Sequence, residues 1–165
     1  MANDLWQTPP EVMKFLEVSQ FFKATIDACA DVNNRQCQDF YSEVNSFLDA
    51  DPKSISGQGI WCNPPYSNPR PFIEHCQKMS QNKNEVMMLL NMDTSTKWFE
   101  LLESYNNAVL MPVIGSRIAF VDGDGVAKRG NSKPQLFVRL LEKGYGKKAH
   151  WNPVYHSEIM SYKGI

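Results

Sequence analysis

Apolar positions along the chain fall into short runs set apart by Pro, Gly and Asn. Val12, Phe15 and Leu16 recur at helical spacing behind Thr8-Pro9-Pro10-Glu11. Thr8 is expected to cap this first helix, with proline costing no hydrogen bond in the first turn and Glu11 completing a T-x-x-E capping box. Residues 24–28 read as a short buried strand ending in Asp27, and Phe40-Tyr41 as a second. Ile60-Trp61-Cys62 reads as a third, cut off by Asn63-Pro64-Pro65-Tyr66. Phe72, Ile73, Cys76 and Met79 mark a helix, 86–90 (VMMLL) a buried strand, and 94–104 a helix with Trp98, Leu101 and Leu102 inward. Two β-runs close the core, 108–120 broken around Gly115, and 135–141, with turn chemistry at Asp122-Gly123-Asp124-Gly125 between them. This order predicts an α/β sheet, mostly parallel with an antiparallel edge hairpin. Ligands of such sheets bind at the carboxyl ends of the strands, which puts Asp27 and Asn63 on one rim.

With 165 residues, 42% of them hydrophobic, the chain can bury one core. No apolar run approaches the roughly 18 residues of a spanning helix. The N-terminus has neither the basic nor the apolar region of a signal peptide, so the reading is a soluble, cytoplasmic protein. Cys29, Cys37, Cys62 and Cys76 form no C-x-x-C pair, which argues for reduced thiols and against a metal site. The net charge of -1 hides an asymmetry: residues 1–127 carry 9 Lys+Arg against 16 Asp+Glu, and residues 128–165 carry 8 against 2. A basic C-terminal block points to an anionic partner, most simply nucleic acid, a solvated tail being the plain alternative.

Asn63-Pro64-Pro65-Tyr66 carries the sharpest chemistry. Two prolines stiffen the turn and remove two backbone donors. The Asn63 side-chain oxygen and the Pro64 carbonyl can then accept from one NH2 group. An exocyclic amine on a base is a poor nucleophile because its lone pair is delocalised into the ring. Two converging acceptors favour the pyramidal, nucleophilic form and align it with an electrophile. Tyr66 offers a face for the base, and an amide such as Asn63 cannot serve as a general base, so the proton leaves to water. A rigid Pro-Pro loop with a half-buried Tyr is the bland alternative.

Trp6-Gln7-Thr8-Pro9-Pro10, Thr25-Ile26-Asp27-Ala28-Cys29-Ala30 and Trp61-Cys62-Asn63-Pro64-Pro65-Tyr66 resemble, in order, three motifs of S-adenosylmethionine-dependent amino-methyltransferases. Met88-Leu89-Leu90, Thr94 to Phe99, Gly115 to Phe120 and Gly130-Asn131-Ser132 extend the match. The pattern resembles the phage-type DNA N6-adenine methyltransferase (Dam-like) family over about residues 4–141. The resemblance implies a Rossmann-like methyltransferase fold, with residues 1–141 as catalytic domain and 142–165 as a basic, aromatic extension packed on or continuing it. It implies S-adenosylmethionine as cofactor, double-stranded DNA as partner, and no metal. Asn63, Pro64, Pro65 and Tyr66 match the catalytic loop. Thr8 and Pro9 match the helix entry that meets the methionine part of the cofactor, with Trp6 over the site. Asp27 and Ala28 match the segment after the first strand, where Asp27 meets the cofactor's amino group, and Asn63 borders it.

Arg117, Lys128, Arg129, Asn131, Ser132, Lys133, Lys147 and Lys148 are the candidates for DNA contact, and solvated loops are their plain alternative. In the tail, Trp151 and Tyr155 suit either stacking on bases or an edge strand. Trp98 reads as core. A G-x-G-x-x-G turn is absent, and Asp39, Asp49 and Asp51 all remain candidates for the cofactor ribose. Asn45 stands where relatives often carry Asp. Three functions compete: adenine N6 transfer, transfer to cytosine N4 or protein glutamine, and an inactive DNA-binding relative. The sequence leaves monomer and homodimer open.

Overall fold

The structure is a computed structural model and describes residues 7–128, 133–144 and 146–165. Among these, eight strands form one sheet: β1 (Ile26–Asp27), β2 (Asp39–Phe40), β3 (Gly59–Cys62), β4 (Glu85–Asn91), β5 (Ala108–Ile114), β6 (Gln135–Leu140), β7 (His150–Trp151) and β8 (Val154–Tyr155). Four α-helices flank it: α1 (Pro10–Ser19), α2 (Arg70–Ser80), α3 (Lys97–Ser104) and α4 (His156–Met160).

The strand order is β2-β1-β3-β4-β6-β5-β7, with β8 also on β5. All neighbours pair in parallel except at β6, which is antiparallel to both β4 and β5. The expected α/β sheet with a β5–β6 hairpin is therefore present, and β6 lies inside the sheet, wedged between β4 and β5. Residues 142–165 add the edge: β7 and β8 flank Asn152-Pro153 alongside β5, and α4 packs on α1. The edge-strand alternative for Trp151 to Tyr155 holds.

β4 shows why both faces are covered. Val86, Met88 and Leu90 enter one core with Ile73 and Met79 of α2 and Leu102 of α3. Met87 and Leu89 enter the other with Val12, Phe15 and Leu16 of α1 and Ile159 of α4. A strand apolar on both sides must be buried on both, the rule for parallel sheets. Each fully buried side chain of this size contributes about 1.5–3 kcal/mol.

Two details position the rim. A Cβ on Gly59 would stand 2.0 Å from the Lys23 carbonyl oxygen, so only glycine lets the chain entering β1 lie against β3. The first helix differs from its sequence reading: Pro9 is its N-cap, no side chain caps it, and Thr8 lies one residue further out. Thr8 Oγ1 instead accepts from the Asn63 amide. α3 has the cap that α1 lacks, since Thr96 Oγ1 accepts from Phe99 N–H at 3.2 Å.

Candidate active site

β1, β3, β4 and β5 run in one direction, so their carboxyl ends share a rim. Trp61 packs in the α1-side core. Strand alternation puts Asn63, two residues on, toward the same side. There Asn63 meets Thr8, which is only 4% exposed: Asn63 Nδ2 donates to Thr8 Oγ1 at 3.5 Å. At the other end of the amide, the Tyr66 hydroxyl donates to Asn63 Oδ1 at 2.8 Å. Burial, and secondarily the Cys62 sulfur, push the Tyr66 phenol above its usual range, so it stays a donor. Pro64 is buried and Pro65 exposed. The four-residue loop is thus closed on itself by its last side chain.

Asp27 ends β1 with its carboxylate buried. Oδ1 accepts from Cys29 N–H at 3.2 Å and Oδ2 from Gln36 N–H at 2.9 Å. Burial pushes its pKa up, and the two backbone donors pull it back. The Asp27 side chain thus holds the turn after β1 together by accepting from its backbone. Each oxygen keeps a free lone pair for a ligand donor. Gln36 Nε2 reaches the Thr8 carbonyl at 3.4 Å, tying the segment after β1 to the entry of α1.

A cleft of about 540 Å³ opens beside β1 and β2, lined by Asp39, Asn45, Gln58 and Ser54 among others. It brings Asp39 and Asn45 together and leaves out the other two acidic candidates. Asp51 instead accepts from Lys53 N–H at 3.0 Å in a 3-10 turn, and Asp49 lies in the turn before it. A second cavity, about 240 Å³, lies next to the loop of residues 63–66 and is lined by Tyr66, Trp98 and Lys133 among others. Cys29 and Cys62 are free thiols with their sulfurs 3.8 Å apart. Their mutual contact and burial raise the Cys29 thiol, and burial raises that of Cys62. Among the described residues no cluster of side chains could hold a metal ion, and no helix is long and apolar enough to cross a membrane.

The family model described as DNA N-6-adenine-methyltransferase (Dam) matches residues 1–162. A DNA N-6-adenine-methyltransferase of Haemophilus phage HP1 is 38% identical over 148 residues, 87% of this chain and 83% of the relative. One of Escherichia phage T1 is 33% identical, over 93% of this chain and 70% of the relative. The chain belongs to the Dam family.

Within this Dam-family chain, Thr8, Asp27, Ala28 and Asn63 to Tyr66 lie together at the rim. Trp6, Arg129, Asn131 and Ser132 lie outside the described residues. Three of the cations expected to meet DNA sit beside acids. Lys128 pairs with Asp122 at 2.8 Å, Lys133 with Asp93 at 3.0 Å and Lys148 with Glu103 at 3.3 Å. Arg117 and Lys147 are exposed.

Sequence reasoning missed Gln135 and the cavity beside Trp98. Trp98 packs half-buried against the core, as its helical spacing reads, and also lines the smaller cavity. Gln135 is fully buried, and its Oε1 accepts from Ile118 N–H at 3.0 Å, pinning the segment that carries Arg117. A polar residue opening an apolar strand was the signal for it.

Proposed function

We propose that this chain transfers a methyl group from S-adenosylmethionine to N6 of an adenine extruded from duplex DNA. Family membership supports the reaction, and one observation carries the assignment of its centre: the Asn63 amide, engaged at both ends, on the rim beside the buried Asp27. The residues present fit the cofactor. Asp27 has acceptor capacity left for an amino group, and Asp39 and Asn45 offer polar partners for ribose or adenine. When bound, S-adenosylmethionine supplies an electrophilic methyl on a sulfonium.

The chain's own residues do the rest. Asn63 Oδ1 and the Pro64 carbonyl accept the two amino hydrogens, which concentrates the lone pair on N6 and fixes its direction. Tyr66 stacks on the base, which must leave the helix for its N6 to be reached. Asn63 takes no proton, so the proton released from N6 goes to water.

The test is Asn63→Ala with labelled cofactor and unmethylated duplex DNA, followed by nucleoside chromatography. Wild type is expected to place label in N6-methyladenine. The variant is expected to lose at least about 10²-fold in kcat, with cofactor affinity within a few fold. Normal turnover by the variant, or label in another base, overturns the proposal.

A further inference from the structure

Cys62 is the residue before Asn63, and Cys29 stands two residues after Asp27. Both are free thiols, and their sulfurs lie 3.8 Å apart. We infer that Cys29 and Cys62 are a modification site that closes into a reversible disulfide with a small-molecule disulfide as oxidant, and that this bond switches methyl transfer off. The effect on turnover rests on the active centre proposed above, whereas the bond itself does not.

The backbone already holds the two segments within bonding range. β1 and β3 pair in parallel with Asp27 opposite Trp61, and the Ala28 N–H extends the ladder to the Trp61 carbonyl at 2.8 Å. Neighbouring strands run about 4.8 Å apart, inside the roughly 4.4–6.8 Å between Cα atoms that a disulfide bridges. The sulfurs have to close from 3.8 Å to about 2.05 Å. Access is one-sided. Cys29 is half-buried, whereas Cys62 and its neighbour Cys76 of α2 are fully buried. Cys29 is therefore the sulfur of this cluster that a reagent meets first. Cys37, half-buried as well, stands near the Asp27 and Asp39 carboxylates and serves as a control.

The exchange balances in two steps. The Cys29 sulfur attacks the oxidant's disulfide, which gives a mixed disulfide and one free small-molecule thiol. The Cys62 sulfur then attacks the Cys29 sulfur and releases the second small-molecule thiol. The cysteine pair loses two electrons, the oxidant gains them, and the protons of both cysteine thiols end on the released thiols. Contact with Cys62 and burial raise the Cys29 thiol, and burial raises that of Cys62, so little thiolate is present and the exchange is slow. The product carries no charge, so burial does not oppose it.

Once formed, the bond pulls on both halves of the site. The Cys29 N–H holds Asp27 Oδ1 at 3.2 Å, and Cys62 leads directly into Asn63. A displacement of about 1 Å at a reacting centre costs up to roughly 10²-fold in rate. Reduction returns both segments to their places.

The test uses the full chain with oxidised glutathione for several hours. Trypsin is then expected to release residues 24–35 joined to residues 54–78, in wild type and in Cys76→Ser alike. Methyl transfer from labelled cofactor to unmethylated duplex DNA is expected to fall at least about tenfold and to recover with dithiothreitol. Cys29→Ser is expected to keep its rate within about twofold through the same treatment, because no mixed disulfide can start there, and Cys37→Ser to lose its rate as wild type does. Absence of the joined peptides overturns the inference, as does their loss in Cys76→Ser. Equal inactivation of Cys29→Ser overturns it too. Should Cys29→Ser fold poorly, Cys62→Ala gives the same reading. Asn63→Ala distinguishes the two levels. Joined peptides with unchanged turnover and an inactive Asn63→Ala remove only the switch, whereas an active Asn63→Ala removes the reading of the centre itself.

Discussion

Replacing Tyr66 by Phe deletes one oxygen and keeps the ring. The lost interaction is the 2.8 Å hydrogen bond to Asn63 Oδ1. Such a bond is worth about 0.5–1.5 kcal/mol net when both partners can otherwise reach solvent. Asn63 is half-buried, so its Oδ1 can take water in place of the hydroxyl and the penalty of an orphaned acceptor does not apply in full. The cost falls on orientation: Thr8 alone, at 3.5 Å, then holds the amide. About 1 kcal/mol of lost preorganisation lowers kcat roughly fivefold. The KM for DNA should barely move, because the stacking face remains. Steady-state methyl transfer over a range of DNA and cofactor concentrations measures both. A kcat within 1.5-fold of wild type would show the hydroxyl to be a bystander. A loss beyond about 10³-fold would refute the reasoning the other way, because a positioning contact cannot cost that much and a proton-transfer role would be needed.

Other expectations follow from the same contacts. Gly59→Ala forces a Cβ into the Lys23 carbonyl and should cost about 3 kcal/mol in urea unfolding, and an unchanged midpoint would contradict the close approach of β3 to the entry of β1. Tyr66 is held protonated in the folded state by burial, so the folded chain binds this proton more tightly than the unfolded one. Stability from this source is present below the ordinary phenol value of about 10 and is lost as pH rises above it. Between pH 8 and 11, wild type should therefore lose more unfolding free energy than Tyr66→Phe, and parallel losses would count against the buried phenol.

Strong periodicity made the long elements legible. β4, β6 and α2 fall within a few residues of the runs that marked them, because each has enough buried positions to leave a pattern, whereas β5 ends at Ile114, before the break at Gly115, and not at 120. β1 and β2 are two residues each, shorter than 24–28 suggested, and depend on parallel neighbours that no local signal encodes. The position of β6 was also hidden: antiparallel pairing with β5 follows from the turn between them, but pairing with β4 is a long-range event. In the site, Asn63 and Asp27 were readable because chemistry and strand ends coincide there. Thr8 was misread because T-x-x-E fits a capping box, while Pro9 gives the cap position to itself and leaves Thr8 for Asn63. Trp98 was legible as packing on the core, because helical spacing records which residues face the sheet. It does not record where the layer ends, and at the first turn of α3 the facing side chain meets a cavity.

The insertion of β6 between β4 and β5 has a consequence for how the chain is made. β4 and β5 are complete by residue 114, yet their facing edges stay unpaired until residues 135–140 have emerged. Until then the nascent chain carries two apolar strands with open backbone hydrogen-bonding edges, the arrangement most prone to pairing with another chain. A ribosome-bound fragment ending before Gln135 would be sticky, and one extending past Leu140 would close. Residues 150–155 emerge later still, and as β7 and β8 they shield the other side of β5.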